Sequence, residues 1–260
     1  MIWILDNSKF VTGENCTITN SYIVLKGNAK LILESNIQIE NCNLTIVNSY
    51  IYINKDSVFK HVNFECLEKS NVEIGNMVEI SNYNLILRKA VLKIADNNFF
   101  SMGRSSLTPN LSIQEGSLNI GNHNFFRCDF LLRYNGICEI GTYNGICENT
   151  EIRCDELITI GSFNMISYQC MIYDTNTHNI YDKEFRRELT RSDFPNIGRD
   201  LDKPKTKPVY IGNDCWMGKR AVVLKGTIIY DECIIGTNAL ISNVIVPPNS
   251  IVVGNPAIIK

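Results

Sequence analysis

An apolar residue recurs every six positions through the last fifty residues of the chain: Ile211, Met217, Val223, Ile229, Ile235, Ile241, Pro247 and Val253. A small or turn-forming residue follows the beat at Gly212, Gly218, Gly236, Ser242 and Gly254. One buried side chain followed by one tight bend is the pattern of a solenoid wall. Three such steps close one triangular coil. Each coil covers its aliphatics only against the coils above and below, so no single repeat is stable alone.

Upstream the repeat continues in a looser form at Ile74-Gly75, Ile94-Ala95, Ile120-Gly121, Ile140-Gly141 and Ile160-Gly161, mostly at twenty-residue intervals. The longer interval between Ile94 and Ile120 holds the Ser- and Pro-containing stretch Ser101 to Asn110, which reads as a corner loop pushed outward. Asn98, Asn124, Asn144 and Asn164 share one offset in these coils, with Phe100, Phe126, Ile146 and Ile166 two residues beyond. Asparagine tolerates left-handed turn geometry and bonds readily to neighbouring backbone, so a structural role outweighs a ligand-binding one. From Cys16 to Leu67 short alternating runs such as Leu31-Ile32-Leu33, Ile37-Gln38-Ile39, Leu44-Thr45-Ile46 and Ile51-Tyr52-Ile53 predict many short strands. No helical periodicity of useful length precedes Ile180. The one long break runs from Asp174 to Pro208, with a short helix expected near Glu184 to Thr190. The expected architecture is all-β: an N-terminal β-helical section over 1–119, a hexapeptide-repeat section over 120–260, and an extruded loop over 174–208. A long aperiodic insertion in a rigid solenoid is where function tends to reside.

Composition excludes several classes. With 25 basic and 27 acidic residues the formal charge is −2, which gives no global attraction to nucleic acid or an anionic membrane. The opening Met1-Ile2-Trp3-Ile4-Leu5-Asp6 lacks a basic n-region and does not read as a signal peptide, and no apolar run is long enough to span a bilayer. The ten cysteines form no Cys-x-x-Cys pair, so a disulfide framework and a structural metal site are both unsupported. Free thiols serving as small apolar fillers at Cys16, Cys42, Cys66, Cys138, Cys154 and Cys170 fit a reducing, cytoplasmic compartment. Of the three histidines, His61 sits in a strand-like run and His123 at a repeat corner. His178 alone stands where the periodic coil gives way to the long loop.

The strict hexads, the run Asp174-Thr-Asn-Thr-His178-Asn-Ile-Tyr-Asp182, the step Ile211-Gly-Asn-Asp-Cys-Trp216-Met-Gly218 and the ending Val253-Gly254-Asn255-Pro256-Ala257 together resemble the left-handed β-helix (hexapeptide-repeat) acyltransferases. The nearest likeness is to bacterial sugar and polysaccharide O-acetyltransferases, and it extends over roughly Ile140 to Lys260. The left hand is implied by that resemblance alone, because parallel β crossovers are otherwise overwhelmingly right-handed.

The resemblance implies an acetyl-CoA-dependent transfer of acetyl to a sugar hydroxyl of a capsule, lipopolysaccharide or related surface glycan, or of its precursor. It also implies a homotrimer with its active sites between neighbouring subunits. His178 matches the family's general base, a role imidazole suits because its pKa lies near neutrality. Trp216 matches a tryptophan that lines the site beside the thioester. Candidates for coenzyme contact by family position are Lys219, Gly236, Thr237, Ser242 and Asn243, with Lys225 or Lys260 for its phosphates and turn amides for its pantetheine arm. On the acceptor side the position one coil before the base is Cys147, where maltose- and galactoside-type relatives carry an Asn. Asn149 lies two residues on, and Asp174 opens the His motif. With Cys147 in that place, the expected acceptor is not a small free glucoside or galactoside. No Gly-x-Ser-x-Gly elbow or activated cysteine is evident, so direct transfer is the simplest scheme. Two alternatives stand: an N-acyltransferase acting on a nucleotide-linked amino sugar, and a non-catalytic β-helix that binds glycan or serves as a scaffold.

Overall fold

The computed structural model describes residues 2–19, 22–40, 43–60, 63–66, 69–102, 108–196, 198 and 202–260, with side chains omitted at 2, 3, 22, 43–47 and 63–66. His61 and Cys42 lie outside the described residues. Apart from the strand Ile258–Ile259, which pairs antiparallel, the strands stack in register as three parallel ladders, one per side of the coil. On the first face one inward column runs Ile23, Leu85, Leu111, Phe130, Ile152, Ile172, Val223 and Ile241, with the backbone of Leu44 and Phe64 at the register positions between Ile23 and Leu85. On the second it runs Leu33, Ile53, Ile74, Ile94, Ile120, Ile140, Ile160, Ile211, Ile229 and Val246. On the third it runs Ile39, Phe59, Ile80, Phe100, Phe126, Ile146, Ile166, Met217, Ile235 and Val252. These columns build the core. The repeat read from Ile74 to Ile160 is therefore a single column on one face, and it runs across residues 119 and 120 without interruption.

The twenty-residue coils differ from the strict hexads in the length of two sides. Glu151–Cys154 and Leu157–Ile160 have four residues each, whereas Val222–Leu224 has three and Ile228–Ile229 has two. The strands Asn84–Ile94 and Asn110–Ile120 turn the corner between the first and second faces unbroken. Among the described residues these two faces consequently form one 20-stranded sheet, and the third forms a 12-stranded sheet.

The hexad beat slips once. Ile211 pairs with Ile229, 18 positions on, but Ile229 pairs with Val246, only 17 on. Val246 and Val252 are buried as a result, while Pro247 is exposed and Val253 half-buried. The coil loses one residue at the corner that holds Asn243.

The four asparagines are buried and bridge successive coils. Asn98 Oδ1 accepts from Asn124 N at 3.0 Å, Asn124 Oδ1 from Asn144 N at 2.8 Å, Asn144 Oδ1 from Asn164 N at 3.0 Å and Asn164 Oδ1 from Cys215 N at 2.8 Å. The left-handed backbone belongs to the residue before each: Asn97, His123, Tyr143 and Phe163 have φ of 57, 59, 57 and 61°. The asparagines thus satisfy buried donors that the corner would otherwise orphan.

At the corner between the first and second faces the chain leaves the stack after Met171–Tyr173 and re-enters at Val209–Ile211. An antiparallel bridge between Thr175 and Thr206 closes the neck, flanked by Asn176 N to Lys205 O at 3.0 Å and Lys207 N to Asp174 O at 2.9 Å. The loop carries the helix α1, Lys183–Asp193. Asp182 caps α1 by accepting from Phe185 N at 3.0 Å, with Glu184 in the first turn and Arg191 in the last to suit the macrodipole. No helical residue is fully buried, so α1 projects from the stack. Among the described residues no helix is long and apolar enough to cross a membrane.

Candidate active site

His178 stands exposed on the outgoing limb of the loop. It lines a cavity of about 240 Å³ with Asn179, Tyr181, Arg186, Leu189 and Thr190. The last three share one face of α1 at i, i+3 and i+4 and so look back on the limb together. Tyr181 packs edge-on against Phe185, with ring centroids 5.1 Å apart, and Asn179 Nδ2 donates to Asp202 O at 2.8 Å. Helix start and return limb together hold the segment bearing His178. Arg186 lines the same cavity as His178 because the helical spacing of α1 turns it toward the limb.

Trp216 lies on the third face, 52% exposed, between Met165 and Ile234 in the outward column. Below Met165 that column continues through Gly145 and Phe125. A groove of about 290 Å³ runs along it, lined by Phe125, Gly145, Met165 and Trp216 on one side and Arg127, Cys147 and Ser167 on the other. The fold thus brings Trp216 and Cys147 into one groove, although 69 positions separate them in the sequence. The half-buried Cys147 Sγ accepts from Arg127 Nη2 at 3.4 Å. Arg127 Nη1 is 3.1 Å from Glu148 Oε1, and its guanidinium sits 5.0 Å from the Phe125 ring centroid. Sequence spacing offered no sign of Arg127, because a cation on one rung and its thiol and carboxylate partners on the next are neighbours only across the ladder. Asn149 occupies the following corner, exposed and with φ of 57°.

The candidate coenzyme contacts fall on two different corners. Lys219, Gly236 and Thr237 lie where the third face turns into the first, next to the Trp216 column. Lys225, Ser242 and Asn243 lie where the first turns into the second, on the coils that follow the extruded loop. Asn243 Oδ1 accepts from Lys207 Nζ at 2.6 Å, tying that corner to the loop exit. Lys260 is exposed, and its backbone pairs in both directions with Ile251. Several turn amides are committed within the stack: Gly218 N donates to Ile235 O at 2.7 Å, Gly236 N to Val252 O at 2.7 Å and Asn238 N to Lys219 O at 3.0 Å. These three N–H groups are therefore not open to a pantetheine arm, whereas the side chains of Lys219 and Thr237 are exposed.

Asp174 also departs from expectation. It is 0% exposed, and its carboxylate accepts from Asp155 N at 2.8 Å and from Glu156 N and Leu157 N at 2.7 Å each. It clamps the loop base to the coil below and is closed to a sugar. Burial nevertheless holds its pKa above the ordinary carboxylate value, against these donors. His123 stacks on Tyr143 with centroids 4.6 Å apart, and Tyr143 on Phe163 at 5.0 Å, in keeping with a corner side chain.

A concavity of about 790 Å³ lies on the second face between Tyr52 and Thr159. Its glycine floor follows from coil stacking: a Cβ on Gly121 would stand 2.6 Å from Gly141 O, and one on Gly141 2.6 Å from Gly161 O. Glu73, Lys93 and Glu139 line it, but neither His178 nor Trp216 does, so we place the candidate site elsewhere.

No protein-family model matches the sequence. WbbJ of Escherichia coli (strain K12), provisionally named for O-acetyl transfer in lipopolysaccharide biosynthesis, is 30% identical over 148 residues, covering 55% of this chain and 70% of WbbJ. The chloramphenicol acetyltransferase of Agrobacterium fabrum is 47% identical over 47 residues, 18% of this chain and 22% of that protein. Among solved structures, the hexapeptide-repeat acetyltransferase VCA0836 of Vibrio cholerae, complexed with acetyl-CoA, aligns at 22% identity over 54% of this chain and 67% of its own, with a TM-score of 0.41. With a parallel three-sided solenoid, an extruded histidine loop and the WbbJ match over most of that protein's length, the chain belongs to the left-handed β-helix, hexapeptide-repeat acetyltransferases and is an acyltransferase.

Proposed function

We propose that the protein transfers acetyl from acetyl-CoA to a hydroxyl of a sugar in a bacterial surface polysaccharide or its precursor, as a cytoplasmic homotrimer. The observation that carries this reading is the exposed His178, presented from a loop whose neck is clamped to the stack at Asp174. The WbbJ name supports a surface-glycan acceptor.

A sugar hydroxyl is not acidic at neutral pH, so attack on a thioester needs a positioned base. His178 takes the hydroxyl proton as the oxygen bonds to the thioester carbon. When the C–S bond breaks, the imidazolium returns that proton to the departing thiolate, and the enzyme ends as it began. Trp216 stands beside the thioester and shields it from water. Within one chain His178 projects from the corner of the first and second faces, whereas Trp216 lies on the third face. A complete site therefore takes His178 from one copy and the Trp216 groove from its neighbour. Lys219 and Thr237, at the corner next to Trp216, suit the polar arm of the coenzyme.

The test is thiol release from acetyl-CoA across a panel of bacterial surface glycans, for the wild type and for His178→Ala. Turnover on one glycan that disappears in a folded His178→Ala protein, with a product lost in mild alkali, is the expected outcome. An alkali-stable product would make the enzyme an N-acyltransferase, and unimpaired turnover in the variant would remove His178 as base.

A further inference from the structure

Gly145 breaks an otherwise bulky ridge. The outward column of the third face reads Phe99, Phe125, Gly145, Met165, Trp216, Ile234 and Ile251, so one position in seven lacks a side chain. The usual structural reasons for glycine fail here. A Cβ built on the other strand glycines, Gly116 and Gly136, would stand 2.2 and 2.4 Å from a carbonyl oxygen of the next coil, whereas one on Gly145 meets nothing within 4 Å. Nor is Gly145 among the residues with positive φ. Glycine inside a strand weakens it by roughly 0.5–1 kcal/mol relative to alanine. Where neither packing within the chain nor conformation requires it, close approach by a ligand or by another copy's backbone is what remains, and the division of the lining favours a ligand.

We propose that the notch over Gly145 is the seat of the acceptor's pyranose ring, and that Gly145 is a specificity-determining residue for it. This rests on the transferase reading above. The gap from Phe125 to Met165 spans two strand spacings, roughly 10 Å, which admits one sugar ring and excludes a second. Its lining is divided as a pyranose is. Phe125 and Met165 offer apolar walls to the ring's C–H surface, and Arg127, Cys147 and Ser167 line the opposite side, where ring hydroxyls would lie. An acyl chain in the notch would leave the guanidinium and the serine hydroxyl covered by hydrocarbon, at a cost. Trp216, next beyond Met165, then stands between the seated sugar and the neighbouring corner with Lys219.

The experiment uses the intact assembled protein and three probe sugars, D-galactose, N-acetyl-D-glucosamine and N-acetylneuraminic acid. Dissociation constants come from ligand-observed NMR on the wild type, Gly145→Ala and Gly145→Val. At least one sugar is expected to bind the wild type and to weaken stepwise, by roughly tenfold or more in Gly145→Val, with acetyl-CoA affinity unchanged and the thermal midpoint not lowered. On unmodified protein the same sugar should slow alkylation of Cys147 by iodoacetamide, located by peptide mass. The proposal is overturned if no probe sugar binds, if binding is indifferent to Gly145→Val, if Cys147 is not protected, or if the variant alters only acyl-chain preference or assembly mass. Gly145-dependent sugar binding without thiol release on any glycan would leave the notch standing and sink the transferase reading.

Discussion

At the scale of a single residue, Asp174 shows how the loop that carries the proposed base is anchored. Its carboxylate gathers three backbone N–H groups of the coil beneath, at Asp155, Glu156 and Leu157. Asp174→Ala orphans all three, so it should cost about 3 kcal/mol in urea denaturation and reduce kcat through misplacement of His178. Its pH behaviour follows from burial. Because the folded pKa is raised, the folded state holds the proton more tightly than the unfolded chain does. Stability from this group is then fully present below the ordinary carboxylate value of about 4 and is lost as pH rises through the raised one. Asp174→Asn cannot titrate, so its denaturation midpoint should lack that fall when the two proteins are compared upward from about pH 4. The motif Asp174-Thr-Asn-Thr-His178 was legible in the sequence as a unit. The division of labour within it was not, because only the three donors from another coil reveal that the aspartate is structural.

At the scale of elements, the asparagine ladder replaces some of the cohesion that hydrogen bonds between short corner strands cannot supply. Asn144 Nδ2 donates to Asn124 Oδ1 at 3.0 Å and to Gly161 O at 2.9 Å, while its Oδ1 accepts from Asn164 N. Asn144→Ala leaves a buried donor and a buried acceptor unpaired, and a loss of about 2–4 kcal/mol is expected from the shift in urea midpoint. Asn149→Ala, at an exposed corner with φ of 57°, should cost about 1 kcal/mol, because alanine tolerates the left-handed backbone less well than asparagine. These elements also show what sequence can carry. The inward column from Ile74 to Ile160, the inter-coil role of the asparagines and the helix near Glu184 were all readable, because periodicity and turn chemistry are local. The slip that puts Val246 and Val252 in the core was not, since hexad spacing is blind to a corner shortened by one residue. The groove joining Arg127, Cys147 and Trp216 escaped for a related reason: its members meet across ladders whose register only the folded stack fixes.

At the scale of the molecule, the proposed site cannot close within one chain, and that has a consequence that mixing can measure. Variants His178→Ala and Trp216→Ala should each be nearly inactive as homotrimers if the tryptophan is as necessary as the base. Suppose equal amounts of the two are refolded together. A site is intact only when its loop comes from a Trp216→Ala chain, which keeps His178, and its groove from a His178→Ala chain, which keeps Trp216. Random assembly gives each condition a chance of one half, so roughly a quarter of the interfaces, and of wild-type turnover, should return. If both residues served a site within their own chain, every site in the mixture would lack one of them and no activity would return. Thiol release before and after mixing, with the assembly mass measured in parallel, decides between the two arrangements. Recovery near a quarter with a trimer's mass would establish both the shared site and the number of copies that share it.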